Sequence, residues 1–156
     1  MERVRTSGRD WTDRSCRIEG ATGSQGPAGP STAVLASNQS LKGVYGAIGH
    51  ATGASERFGV AISFGIALTS APTPHFVVAG EGPTASCPGS MTAPAASPGN
   101  LCIYEALSTN VSGSGYENPV TGETGATVEP FGAEVVGLTA KEGNYDESGT
   151  WAVTAP

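Results

Sequence analysis

Residues 58–68 read Phe-Gly-Val-Ala-Ile-Ser-Phe-Gly-Ile-Ala-Leu, and no other run restricts the fold as strongly. The large apolar side chains of Phe58, Val60, Ile62, Phe64, Ile66 and Leu68 fall on even positions, while the odd positions between them hold only Gly, Ala and Ser. A period of two sends successive side chains to opposite faces of a strand. A helix would scatter the large residues around its axis and carry two interior glycines, each costing about 1 kcal/mol relative to Ala. The spacing predicts a strand whose bulky face enters a core. Its small face is free to lie close against another layer or another subunit.

Further candidate strands cover residues 43–51, 76–79, 101–107, 126–129, 133–139 and 150–154. Turn signals separate them at residues 71–74, 81–83, 112–115, 118–119, 121–123 and 142–144, all rich in Gly, Pro, Asn or Ser. The 23 Gly and 11 Pro, about a fifth of 156 residues, disfavour long helices. Many short strands punctuated in this way indicate a sandwich or barrel. The expected head, residues 33–156, is therefore all-β. A jelly-roll-like β-sandwich is the preferred version, by analogy with heads that cap trimeric stems.

Before the head lie two segments of different character. Residues 1–19 are charged and aperiodic, which predicts an irregular stretch. Residues 20–32 hold four consecutive triplets with Gly first, beginning at Gly20, Gly23, Gly26 and Gly29, with Pro27 and Pro30 second in two of them. This is either a polyproline II strand able to enter a collagen triple helix, where only Gly fits at the axis, or an extended Gly/Pro linker. Twelve residues at the polyproline rise span about 37 Å. So short a stem does not hold three chains by itself, and the head would have to trimerise on its own.

Charge narrows the partners. Residues 1–19 carry five Arg and four acids, whereas residues 20–156 carry only Lys42, Arg57 and Lys141 against ten acids. A head so poor in cations is a weak match for phosphate backbones, which are bound through Lys and Arg, so nucleic acid is set aside. No run approaches the roughly 20 apolar residues of a membrane span. The basic N-terminus lacks the apolar stretch of a recognisable signal peptide, although the cysteine pattern favours an extracellular or cell-surface protein.

Cys87 and Cys102 bracket a Pro/Gly-rich segment that offers little to a core. A disulfide would pin this loop to the strand near Leu101; the alternative is two reduced, buried thiols. Cys16 remains, either linking chains or free. No C-x-x-C unit accompanies His50 and His75, so no zinc site is expected. Asn144, Asp146 and Glu147 lack the spacing of an EF-hand loop. The head holds two His and a single Asp, Asp146, with no nucleophile elbow and no phosphate-binding glycine motif. Nothing singles out a catalytic pair among Glu105, Glu117, Glu123, Glu129 and Glu134. The expectation is a non-enzymatic protein that needs no cofactor or metal. Two Asn-x-Ser sequons, at Asn38 and Asn110, matter only in a host that glycosylates.

The Gly-X-Y run leading into an alternating β domain resembles the bacterial collagen-like proteins of high-GC Gram-positive genomes. Residues 70–76, the Cys-bracketed phrase 87–105 and the ending 149–154 are similar to the uncharacterised C-terminal heads of such proteins, and the likeness spans roughly residues 20–156. In architecture it is more distantly similar to the C1q/tumour-necrosis-factor-like trimeric jelly roll on a collagen stem. The stem here is far shorter, and the aromatic core signature of that family is not evident. The resemblance implies a homotrimeric structural or interaction protein for surface display or adhesion. Loops 79–86 and 110–125 are expected to contact a cell-surface or glycan ligand, with Glu81, Tyr116, Glu117 and Asn118 as candidate residues. The alternatives are a phage or prophage tail-fibre tip and a carbohydrate-binding or carbohydrate-active module.

Overall fold

Seven strands follow one another in the computed structural model, which describes residues 34–156: β1 (Ser40–Ala51), β2 (Arg57–Ser63), β3 (Thr73–Val77), β4 (Asn100–Thr109), β5 (Val111–Glu117), β6 (Gly132–Thr139) and β7 (Gly143–Thr154). The Gly-X-Y run, the charged segment and Cys16 lie outside the described residues. The strands form a four-stranded sheet ordered β1-β7-β4-β3 and a three-stranded sheet ordered β2-β6-β5. The head is thus all-β and two-layered, with no helix among the described residues.

The alternation in residues 58–68 does what its period demands. Phe58, Ile62, Phe64 and Leu68 are buried, and Gly59, Ala61 and Ser63 face outward. The strand itself stops at Ser63 because Gly65 turns the chain with φ 73°. The apolar pattern continues beyond that bend. Phe64 N donates to Phe131 O (3.1 Å) and Leu68 N to Pro130 O (2.8 Å), holding both side chains in the core. Against them pack Tyr45 of β1, Leu101 and Ile103 of β4, Val135 of β6, and Trp151 and Val153 of β7.

Glycine and aromatic residues meet face to face across the ladders. Gly43 is the direct partner of Trp151, Gly49 of Tyr145, Gly149 of Tyr45, and Gly137 of Phe58. A Cβ built on any of these glycines would overlap the opposing ring. Each ring lies over bare backbone and reaches the second layer. Phe58 stacks on Tyr145 with centroids 4.7 Å apart, and Phe64 meets Trp151 at 5.6 Å. Such ring pairs contribute about 0.5–1.5 kcal/mol beyond their area.

The chain switches sheets between β1 and β2, β2 and β3, β4 and β5, and β6 and β7. One pairing departs from the antiparallel ladders of a jelly roll: β3 runs parallel to β4, from Thr73↔Asn100 to Val77↔Tyr104. A parallel pair needs a long crossover, which residues 78–99 supply across the outer face of the larger sheet. The Cys87–Cys102 disulfide pins that crossover to β4, with Cα atoms 5.6 Å apart. Tyr104 Oη donates to Ala95 O (2.5 Å), Thr150 Oγ1 to Met91 O (2.9 Å) and Thr154 Oγ1 to Ala96 O (2.7 Å). Val77, Cys87, Cys102 and Tyr104 form a second small core beneath it.

Two expectations are corrected. Residues 126–129 form no strand; they contribute only the Glu129↔Gly132 bridge and the buried Val128 plug. The Ser-Gly-Ser-Gly sequence at residues 112–115 is not a turn but the middle of β5. The turn is Asn110 alone, with φ 55°, and its side chain clamps the neighbouring turn by accepting from Lys141 N (3.1 Å) and donating to Lys141 O (3.0 Å).

Truncating Ile62 to Ala removes a methylene and two methyl groups from between the layers and should cost about 2–4 kcal/mol in denaturant unfolding. A substitution at the neighbouring outward Ala61 should stay within about 0.5 kcal/mol.

Candidate functional site

The outer face of the smaller sheet is bare backbone along part of β5. Strand register sets Arg57, Gly59, Ala61 and Ser63 of β2 on this face, with Glu134, Val136 and Leu138 of β6 and Gly113, Gly115 and Glu117 of β5. A Cβ at Gly113 or Gly115 would meet nothing within 4 Å. The bare backbone leaves a groove of about 370 Å³ lined by Arg57, Gly113, Gly115, Thr124, Val136 and Leu138.

One ion pair straps this face together. Arg57 reaches across β6 to Glu117 of β5, and Val136 of β6 is buried although it points outward. Thr124 Oγ1 donates to the same Glu117 oxygen at 2.9 Å. The Arg57 hydrogen bond, helped by Thr124, holds the Glu117 carboxyl below the usual carboxylate range. Beside it, Asn118 is a turn organiser. Its Oδ1 accepts from Val120 N (2.8 Å) and Thr121 N (3.0 Å), and its Nδ2 donates to Glu129 (3.0 Å) and Thr127 (3.3 Å). Tyr116 Oη donates to Gly125 O at 3.3 Å.

Glu117 thus anchors the strap across this face and Asn118 the turn beyond it, both buried, whereas Tyr116 faces the core opposite Val135. Glu81 sits elsewhere. It stays exposed, its Oε2 accepts from Val78 N (3.2 Å), and it borders a smaller cleft of about 140 Å³ with Met91, Tyr104 and Glu105 on the larger sheet. The two expected contact loops thus lie on opposite sides of the sandwich. Sequence reasoning passed over Arg57 and the glycine pair. The signal available was a glycine at every second position, 113 and 115, ahead of Tyr116.

The residues that acid–base chemistry would use are dispersed. His50 is on β1 and His75 on β3, the two outer edges of the larger sheet, with two strands between them; His75 Nε2 pairs with Asn100 Oδ1 at 2.8 Å. Among the five glutamates considered, register makes Glu117 and Glu134 direct cross-strand partners. Glu117 is held there as an anion by its hydrogen bond with Arg57. Asn144 and Asp146 alternate in sequence with Glu147 along β7, so their side chains take opposite faces and share no ion. No cluster of metal-ligating residues occurs among the described residues.

Glu147 is the anomaly of the interior. It is fully buried, and neither carboxylate oxygen has a hydrogen-bond partner; Tyr45 Oη and Ser114 Oγ, also buried, are likewise without one. Burial raises the Glu147 carboxyl above the usual range, and the charges of Glu105 and Asp146 add to this. Burial together with Glu147 and Glu105 pushes the Tyr45 phenol up as well.

Two opposite pH dependences result. Glu147 keeps its proton in the fold above the pH at which the unfolded chain loses it, so its contribution weakens as pH rises from the unfolded value through the folded one. Glu147→Gln should match wild type near pH 4 and be more stable by about 1–3 kcal/mol at pH 8 in denaturant titrations. Glu117 runs the other way. Its contribution is present above the unfolded value and is lost as pH falls through the depressed folded one, so Glu117→Gln should flatten the acid limb of the stability curve.

No helix among the described residues is long and apolar enough to cross a membrane. Comparison with known proteins finds no matching family model, curated protein or solved structure.

Proposed function

We propose that this chain is a non-enzymatic structural and interaction protein: a β-sandwich head that trimerises on a collagen-like stem and serves surface display or adhesion outside the cytoplasm. The observation that carries the reading is the groove on the smaller sheet. Its floor is glycine backbone and aliphatic side chain, and one strapped Arg57 stands at its side. A shallow open trough of this kind suits an extended partner laid on the surface.

β5 is an edge strand, and an extended polypeptide on an edge gains main-chain hydrogen bonds while its alternate side chains enter the adjoining pockets. Gly113 and Gly115 let such a chain approach closely. The Cys87–Cys102 bridge supports an oxidising compartment. Carrying three grooves on one stem would raise avidity without a strong single site.

The test compares wild-type full-length protein with a Gly115→Trp variant on a displayed peptide library, a glycan array and a polysaccharide hydrolysis screen. The reading predicts selection of extended apolar peptides, a loss of about tenfold or more when the groove is filled, and no turnover. Hydrolysis of any polysaccharide would overturn the non-enzymatic assignment. Glycan binding that Gly115→Trp abolishes would replace the peptide partner with a sugar.

A further inference from the structure

We propose that the outward face of β1, built on Val44 and Ile48, is the surface through which copies of this chain pack against one another. The proposal rests on the trimeric reading above and names the contact that reading requires.

β1 alternates cleanly. Its odd positions point inward, Tyr45 and Ala51 being buried and Gly43 and Gly49 lying under Trp151 and Tyr145. Its even positions point away from the core: Ser40, Lys42, Val44, Gly46, Ile48 and His50. Among these, Val44 is 78% and Ile48 80% exposed, the two most exposed large apolar side chains among the described residues. Gly46 lies between them, opposite Ser148, which is in turn opposite Leu107 of β4, another exposed aliphatic. The result is two aliphatic ridges, Val44/Ile48 and Leu107, separated by a trough over Gly46 and Ser148. The disulfide-pinned crossover covers Thr150 and Thr154 of the same sheet and leaves this part open. A strand that needed only solvent on this side would carry polar residues at 44 and 48.

Charge favours a second copy as the occupant. Like heads with ten acids and three cations repel. This face carries one of those cations, Lys42, on β1, and Asp146 on β7 beside Ile48, so Lys42 of one copy has a carboxylate to meet on the next. Three Val44/Ile48 faces turned toward a common axis form a closed assembly.

Sedimentation velocity of the full-length protein at micromolar concentration decides this, with circular dichroism to check the fold. The variants are Val44→Asp/Ile48→Asp, Lys42→Glu, and Val120→Asp, the last placing the same charge on an exposed valine of the 118–125 turn. The proposal predicts that association weakens about tenfold or more in the double variant, weakens less in Lys42→Glu, and is unchanged in Val120→Asp. A double variant that keeps both its fold and the wild-type mass overturns the β1 contact and leaves the trimeric reading intact. A monomeric wild type overturns that reading itself. If the double variant unfolds, Lys42→Glu with unaltered association is the overturning result.

Discussion

Aromatic rings laid over glycine across the strand ladders are the constraint on which the rest of this head depends. Trp151 covers Gly43, Tyr145 covers Gly49, Tyr45 covers Gly149 and Phe58 covers Gly137. Glycine in a strand is normally a weakness, because it costs backbone entropy and packs nothing. Here its missing side chain is the space a neighbouring ring needs. The arrangement also fixes register, since a slip of one residue would carry every ring to the wrong face and set a side chain beneath it. With β1, β7, β2 and β6 locked in this way, the stacked Phe58–Tyr145 and tilted Phe64–Trp151 pairs join the layers.

The outer faces of the two sheets then have different fates. The larger sheet is half covered, because the parallel β3–β4 pair forces a long crossover and the crossover has to lie somewhere. The disulfide and three side-chain hydroxyls hold it down over β4 and β7. The uncovered half is β1. The smaller sheet has no such cover, and its outward glycines leave a trough crossed by the Arg57–Glu117 strap. The head thus presents two unlike surfaces, one ridged and aliphatic, the other grooved. Both follow from which strands have side chains on their solvent side.

Fold class was legible in the sequence because the 58–68 run has an unambiguous period, and a period of two survives even where Gly65 ends the strand. The Cys87–Cys102 bridge was legible for a similar reason: a Pro/Gly-rich loop with little apolar content needs a tether. β5 was not legible. Ser112, Gly113, Ser114 and Gly115 carry the composition of a turn, and only the partner strand β6 gives them a ladder to join. The first half of β7 was missed because Asn144, Asp146 and Glu147 look like solvent-facing residues, yet register drives Glu147 into the interior. Glu117 and Asn118 showed as polar loop residues; their roles, one tying the strap across the sheet and the other clamping a turn, arise from Arg57 and Glu129, which are distant along the chain.

The most direct measurement is a paired one, comparing the unfolding free energies of Gly49→Ala and Gly53→Ala in the full-length protein. Gly53 lies in the turn after β1, where a Cβ meets only the Glu56 carboxylate at 3.9 Å, whereas a Cβ at Gly49 would run into the Tyr145 ring. The account predicts that Gly53→Ala is neutral or stabilising by up to about 1 kcal/mol, and that Gly49→Ala is destabilising by about 2 kcal/mol or more. Equal effects at the two sites would contradict the claim that ring-over-glycine packing sets this fold.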